Sequence, residues 1–204
     1  MTGVLPTAGQ EQLLPTGPWH VGPAGAAECV LMRRQLLSTT VMTDYGQFDL
    51  TWGEGIGFEG DCGPFFTDQV NGLVGAGPEG VYINLARRSG GSSVTIALHD
   101  TEPDPRTDFW EDVVEVSTSV PRDEIVRWQS WAGESSGELA VPAGDHRVRV
   151  SARGRDAARD NELAEGTVDF YEIDLWPAPV SPDAILRIGS EDAAYWHRTN
   201  GGRR

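Results

Sequence analysis

An all-β fold, an antiparallel β-sandwich with one short helix in a glycine-rich loop, is what this sequence predicts. Three observations carry it. From about residue 36 onward, apolar residues recur at every second position, the spacing that sends alternate side chains to opposite faces of a sheet. The apolar segments are short and separated by Gly, Pro and Asp turns, with no long helix between them, as antiparallel sheets packed face to face require. At 204 residues with seven tryptophans, the chain is long enough to bury one substantial core.

Leu37, Thr39 and Val41 share one face of a first strand, and Phe48, Leu50 and Trp52 one face of a second. Nine glycines then fall among residues 53 to 80, too flexible a run for a long element. Within it Val70, Leu73 and Val74 stand at i, i+3 and i+4, which predicts one short helix capped by Thr67. Val81, Ile83 and Leu85 form the next stripe. After the RRSGGSS turn, Val94, Ile96 and Leu98 are expected to be its antiparallel neighbour.

Val114 and Val116 mark a strand ended near Pro121, Ile125 to Trp131 another, and Leu139 with Val141 another. Val148 and Val150 alternate with Arg147 and Arg149, the pattern of a half-buried strand. Tyr171, Ile173 and Leu175 line a closing strand that stops at Trp176 and Pro177. The sandwich is thus expected over residues 36–180. Residues 1–35, interrupted by Pro6, Pro15, Pro18 and Pro23, read as a disordered or extended leader. Residues 181–204 read as a C-terminal tail in which Ile185, Leu186 and Ile188 lay one edge segment on the body.

Thirty-one acidic side chains face sixteen arginines and no lysine, a net charge of −15. Such a body repels nucleic acid and anionic membrane and is steered toward cationic partners. No apolar run reaches the roughly 18 residues of a membrane span, and the N-terminus lacks a basic region followed by an apolar stretch, so a cytoplasmic protein is expected. Cys29 and Cys62 are too few for a disulfide framework and stand at no zinc-ligand spacing.

Motifs for chemistry are weak. Residues 55–60, GIGFEG, satisfy GxGxxG, but Glu54, Glu59 and Asp61 would oppose a phosphate there, and the order of carboxylates is not that of an EF-hand. His20, His99, His146 and His197 form no HxH or HExxH arrangement, and no GxSxG elbow is present. The expectation is no enzyme, no metal and no cofactor. Arg147, Arg149, Arg153, Arg155 and Arg159 cluster around the hairpin after Val150, where pairing with Asp145, Asp156, Asp160 and Glu162 is expected.

The charge distribution says more. From Asp44 to Asp68 there are six carboxylates and no base; from Asp100 to Glu124 there are nine against Arg106 and Arg122. Both stretches are predicted loops or loop-flanked strands, where a rigid scaffold carries binding groups. Phe65, Phe66, Phe109 and Trp110 lie beside them as candidate anchors, although Trp110 shares the parity of Val114 and Val116 and is expected to face the core.

Five stretches, TDYGQFDL, GVYINLARR, EDVVEVSTSVP, ELAVPAGDHRVRVSARG and DFYEIDLWPAP, taken in this order over about residues 39 to 179, resemble the competence protein J family. The resemblance implies an inhibitor of a DNA-entry nuclease. The long RDAARDNELAEG connection and the glycine-rich loop depart from the bacillary members, and no inhibitory residue carries over.

The functional expectation is therefore a non-enzymatic, acidic β-sandwich that binds and inhibits a basic protein such as a nuclease or toxin, with Glu54, Glu59, Asp61, Asp104, Asp108, Glu111 and Asp112 as the contact set. The alternatives are a small-ligand or carbohydrate-binding module stacking on Trp128 and Trp131, and a structural or assembly subunit pairing through a sheet edge.

Overall fold

Alternating aliphatic residues build the strands. β1 (Arg33–Asp44) and β2 (Gln47–Thr51) come first, and β3 (Val74–Gly77) and β4 (Gly80–Asn84) follow the glycine-rich stretch. Next are β5 (Ser89–His99), β6 (Asp112–Val120), β7 (Val126–Ser130) and β8 (Ser136–Leu139). After β9 (Gly144–Arg153) comes the short helix α1 (Arg155–Asp160), and the chain continues through β10 (Phe170–Pro177), β11 (Ala184–Arg187) and α2 (Glu191–Thr199). This computed structural model describes residues 32–53, 63–67, 69–161 and 164–201.

Two sheets result, sheet A in the order β1-β5-β10-β9-β6-β11 and sheet B in the order β3-β4-β2-β7-β8. All neighbours are antiparallel except β5 and β10, which run parallel. The inward rows meet in one core: Val94, Ile96, Val114, Val116, Val148, Val150, Ile173 and Leu175 from sheet A, and Phe48, Leu50, Val81, Ile83 and Val126 from sheet B. Each such side chain, fully removed from water, contributes about 1.5–3 kcal/mol of transfer free energy. Cross-strand register stacks them: Val150 stands opposite both Val114 and Ile173, and Val148 opposite Val116 and Leu175. Among the described residues, no helix is long and apolar enough to cross a membrane.

Three expectations are corrected. The stripes Val81–Leu85 and Val94–Leu98 are not neighbours: β4 pairs with β2 and β3 in sheet B, whereas β5 pairs with β1 and β10 in sheet A. The turn between them crosses from sheet to sheet, held by the buried Arg87 guanidinium, which donates to the carbonyls of Ser89, Gly91, Ala164 and Gly166. Period two tells which face a residue takes and not which strand lies beside it.

The helix expected around Val70, Leu73 and Val74 is absent. A 3-10 turn occupies Gly63–Phe66 instead, and Val74 opens β3. Side chains take the amide groups that a helix needs: Asn71 Oδ1 accepts from Leu73 N at 3.0 Å and Val74 N at 2.8 Å, and Asp183 Oδ2 accepts from Val70 N at 2.8 Å and Asn71 N at 2.9 Å.

Past residue 180 the expected edge segment is β11, but the chain then forms the helix α2 where only a tail was expected. Ile185 lies opposite Val114 at the edge of sheet A. Ser190 caps α2 by accepting from Ala193 N at 3.0 Å, with Glu191 and Asp192 in the first turn and His197 and Arg198 in the last. The helix is seated where Gly72 leaves no room for a side chain against the Trp196 carbonyl, and Gly72 N donates to His197 Nδ1 at 3.0 Å. The expected leader overlaps β1 at Arg33–Gln35, and residues 1–31 lie outside the described residues.

Candidate protein-binding face

The face of sheet A away from the core is charged, and period two explains why. With Val148, Val150 and Ile173 turned inward, their neighbours Arg147, Arg149 and Glu172 must point the other way. Register then places Glu115 opposite Arg149, and Glu115 serves two guanidinium groups, Arg149 Nη2 at 2.6 Å and Arg147 Nε at 3.1 Å. Both arginines are buried. This pairing was not legible in the list of sequence neighbours, because the partner comes from across the sheet.

The segment from Asp100 to Glu111 is laid over this charged face between β5 and β6 and is pinned there by arginines. Arg149 donates to the Pro103 carbonyl at 2.6 Å and pairs with Glu102 at 3.0 Å. Arg153 lies between two rings, its Cζ 4.7 Å from the Phe109 centroid and 4.6 Å from that of Phe170. From β11, Arg187 donates to the Thr107 carbonyl. Within the segment, Asp104 Oδ1 accepts from Arg106 N at 2.9 Å, and the Arg106 carbonyl accepts from Phe109 N at 2.9 Å. Arg106 itself takes the left-handed φ of 45°.

What this does to the charges is specific. Arg106, the single cation of the segment, pairs with Glu172, which Arg33 also contacts at 2.9 Å, while its side chain stays 49 % exposed with the guanidinium 5.5 Å from the Phe109 centroid. Asp104 and Asp108 remain exposed beside Phe109, whose ring is 48 % exposed. Trp110 is buried, as its parity predicts. The result is a loop with carboxylates outward, an apolar ring among them and its one arginine, half exposed, tied to Glu172.

The remaining expected contact residues divide. Glu111 is exposed, and its Oε2 accepts from Gly154 N at 2.8 Å. Asp112 is buried at 1 % exposure: Oδ1 accepts from Gly189 N at 2.9 Å and Ser190 N at 3.1 Å, and Oδ2 from Ser190 Oγ at 2.6 Å. Its carboxylate holds the start of α2 and is not displayed to a partner. Glu54, Glu59 and Asp61 lie outside the described residues. Of the alternative stacking platforms, Trp128 packs on Phe48 at 6.0 Å and is half-buried, while Trp131 is exposed and lies 5.2 Å from Tyr45.

The arginine cluster after Val150 pairs differently from expectation. Arg159 does reach Asp156 and Asp160, at 3.7 and 3.1 Å, but Arg155 is fully buried against Asp192 at 2.6 Å. Around Arg155 the polar groups interlock. Tyr171 donates its hydroxyl proton to Asp169 at 3.0 Å and accepts from Ala86 N at 2.8 Å, and burial pushes that hydroxyl far above its ordinary pKa. Burial likewise raises Asp169, partly offset by hydrogen bonds from Ser92 and Tyr171. Among the described residues, no group of three His, Cys, Asp or Glu side chains is placed to hold a metal ion.

No family model matches the chain, and no curated protein is significantly similar to it. Two solved structures are similar. One is ComJ from Bacillus subtilis, described as an inhibitor of the DNA-degrading activity of NucA: 16 % identity over 72 % of this chain and 99 % of ComJ, with a TM-score of 0.47. The other is the crocagin biosynthetic gene J product, at 14 % identity over 72 % of this chain and 99 % of that one, with a TM-score of 0.46.

Proposed function

We propose that this chain is a non-enzymatic acidic β-sandwich that binds and inhibits a basic protein, its loop carboxylates standing where the phosphates of a nucleic acid would sit. The supporting observation is the loop over sheet A: Asp104 and Asp108 are exposed around Phe109, and the loop's one cation, Arg106, although half exposed, is ion-paired with Glu172. A net charge of −15 adds long-range steering toward a cationic cleft. Glu111 belongs to the proposed contact set, as do Glu54, Glu59 and Asp61; Asp112, buried beneath α2, does not. Inhibition of this kind asks for rigid, preplaced charge and for no reacting group.

A DNA-degrading nuclease is the partner class to assay first, beginning with NucA, whose DNA-degrading activity ComJ inhibits. The test is stopped-flow association with NucA, together with plasmid degradation, for the full chain and for Asp104→Lys/Asp108→Lys. Both substitutions lie on exposed positions outside the two sheets, so the sandwich is retained, and Asp108→Lys alone keeps the Asp104 acceptor of Arg106 N as the control for loop geometry. The double reversal is expected to slow association at low salt by roughly tenfold or more, to flatten its salt dependence, and to restore DNA degradation. Unchanged kinetics in the reversed variant, or no association of the unaltered chain, would overturn the reading.

A further inference from the structure

A second feature stands apart from the acidic loop. A cleft of about 680 Å³ opens between β4, the turns at residues 44–46 and 85–88, and α2. That volume falls within the roughly 300–1,000 Å³ of small-molecule sites. Its walls are aromatic, from Tyr45, Tyr82 and Trp196, and it is bordered by Arg88 and Arg198, with Asn84 supplying an amide.

The charges lining the cleft do not cancel. Asp192 is held by Arg155 at 2.6 Å, and the exposed Glu191 lies 3.8 Å from Arg159, which Asp156 and Asp160 also reach at 3.7 and 3.1 Å. Arg88 and Arg198 are exposed and form no ion pair among the described residues. In a chain carrying −15 overall, two guanidinium groups without an acid partner among the described residues thus stand at one aromatic cleft.

Tyr45 adds an independent observation. Its backbone has φ of 58°, a left-handed conformation that bulky residues rarely adopt and that glycine or asparagine would take with less strain. The conformation is fixed from both sides, because Tyr45 N donates to the Arg88 carbonyl at 2.7 Å and Leu85 N to that of Gly46 at 2.7 Å. Tyr45 is nevertheless 66 % exposed and its ring meets the exposed Trp131 at 5.2 Å rather than the core, so core packing does not account for a tyrosine at this position. Strain kept for an exposed ring at the lip of a cleft points to a ligand that the ring contacts.

We propose that this cleft binds a small molecule combining a planar ring with one anionic group, the ring packed among Tyr45, Tyr82 and Trp196 and the anion taken by Arg88 and Arg198. Guanidinium groups suit a carboxylate geometrically, and aromatic walls suit a flat ring. None of the loop's carboxylates lines the cleft, so the site is independent of the proposed partner face.

The probes are 2-naphthoate and its neutral counterpart 2-naphthol, titrated calorimetrically into the full chain. Naphthoate is expected to bind about tenfold or more tightly than naphthol, the scale of hydrogen bonds to a charged group. Arg88→Gln/Arg198→Gln removes that preference, and Tyr45→Asn weakens both probes while leaving the melting temperature unchanged or raised. A tyrosine with a purely structural role would give the reverse, a lower melting temperature and unaltered binding. Equal affinity for the two probes in the unaltered chain, no heat with naphthoate up to millimolar concentration, or a preference that survives the double variant would each overturn the proposal. The comparison of probes in the unaltered chain decides without any variant.

Discussion

In the loop over sheet A, carboxylates face solvent and the one arginine, half exposed, pairs with Glu172; in the cradle beneath α2, carboxylate and guanidinium are buried together. Asp108 and Asp112 stand on either side of this divide although one helical turn's worth of sequence separates them. Asp108 is exposed on the loop, and Asp112, the first residue of β6, is buried under the α2 cap with three hydrogen bonds. The difference teaches that a carboxylate's role is set by which donors converge on it and not by the density of charge around it in the chain. In the cradle every acid has a structural duty: Asp112 holds residues 189–190, Asp156 accepts from Glu191 N and Asp192 N, and Asp192 meets Arg155.

The comparison breaks most sharply at those two aspartates. Asp112→Ala leaves two amides and a hydroxyl near Ser190 without their acceptor, a loss of about 3 kcal/mol given roughly 1–3 kcal/mol for each buried polar group left unpaired. Asp108→Ala removes an exposed carboxylate and is expected to leave the urea midpoint within error of the unaltered chain. Equal midpoints for the two variants would mean that Asp112 does not anchor α2.

A smaller effect separates the regions by pH. His197, on α2, is buried, and burial lowers its pKa from the ordinary 6.5; Asp112 and Asp183 pull it upward and Arg155 downward, without reversing the shift. The unfolded chain therefore takes up this proton first as pH falls, and stability declines from about pH 6.5 down to the folded value. The slope from this one group cannot exceed about 1.4 kcal/mol per pH unit. Melting temperatures at pH 7.5 and 5.5 for the unaltered chain and for His197→Asn, whose side-chain oxygen replaces Nδ1 as acceptor for Gly72 N, isolate that contribution. An identical pH dependence in both chains would remove His197 from the account.

Much of the scaffold was legible because burial on one side of a strand writes itself as period two: the rows Val148/Val150 and Tyr171/Ile173/Leu175 face the core as their spacing implies. Partner choice was not legible. RRSGGSS reads as a hairpin turn, yet it leads from sheet B to sheet A, and nothing in the alternation of either flank distinguishes the two outcomes. The α2 segment does carry a local signal, Ser190 followed by Glu191 and Asp192, a cap with acids in the first turn. At the candidate face, the exposure of Asp104 and Asp108 followed from composition. The pairing of Arg106 did not, because its partner Glu172 is contributed by β10, distant in sequence.

The finest test of the comparison lies on a single guanidinium, since Arg149 has one acidic partner from each environment. Glu115 is buried on the adjacent strand and shared with Arg147, whereas Glu102 sits on the loop with its side chain 64 % exposed. Water competes for the exposed carboxylate and screens it, so Glu102→Gln is expected to cost less than about 1 kcal/mol. Glu115→Gln withdraws the charge that compensates two buried arginines and is expected to cost about 3 kcal/mol or more. Measured by urea unfolding side by side, the two variants hold Arg149 constant and vary only the exposure of its partner. A loss from Glu102→Gln matching that from Glu115→Gln would show that the loop is part of the stabilising charge network and not a surface resting upon it, and the carboxylates it displays would then be less free to meet a partner than their exposure indicates.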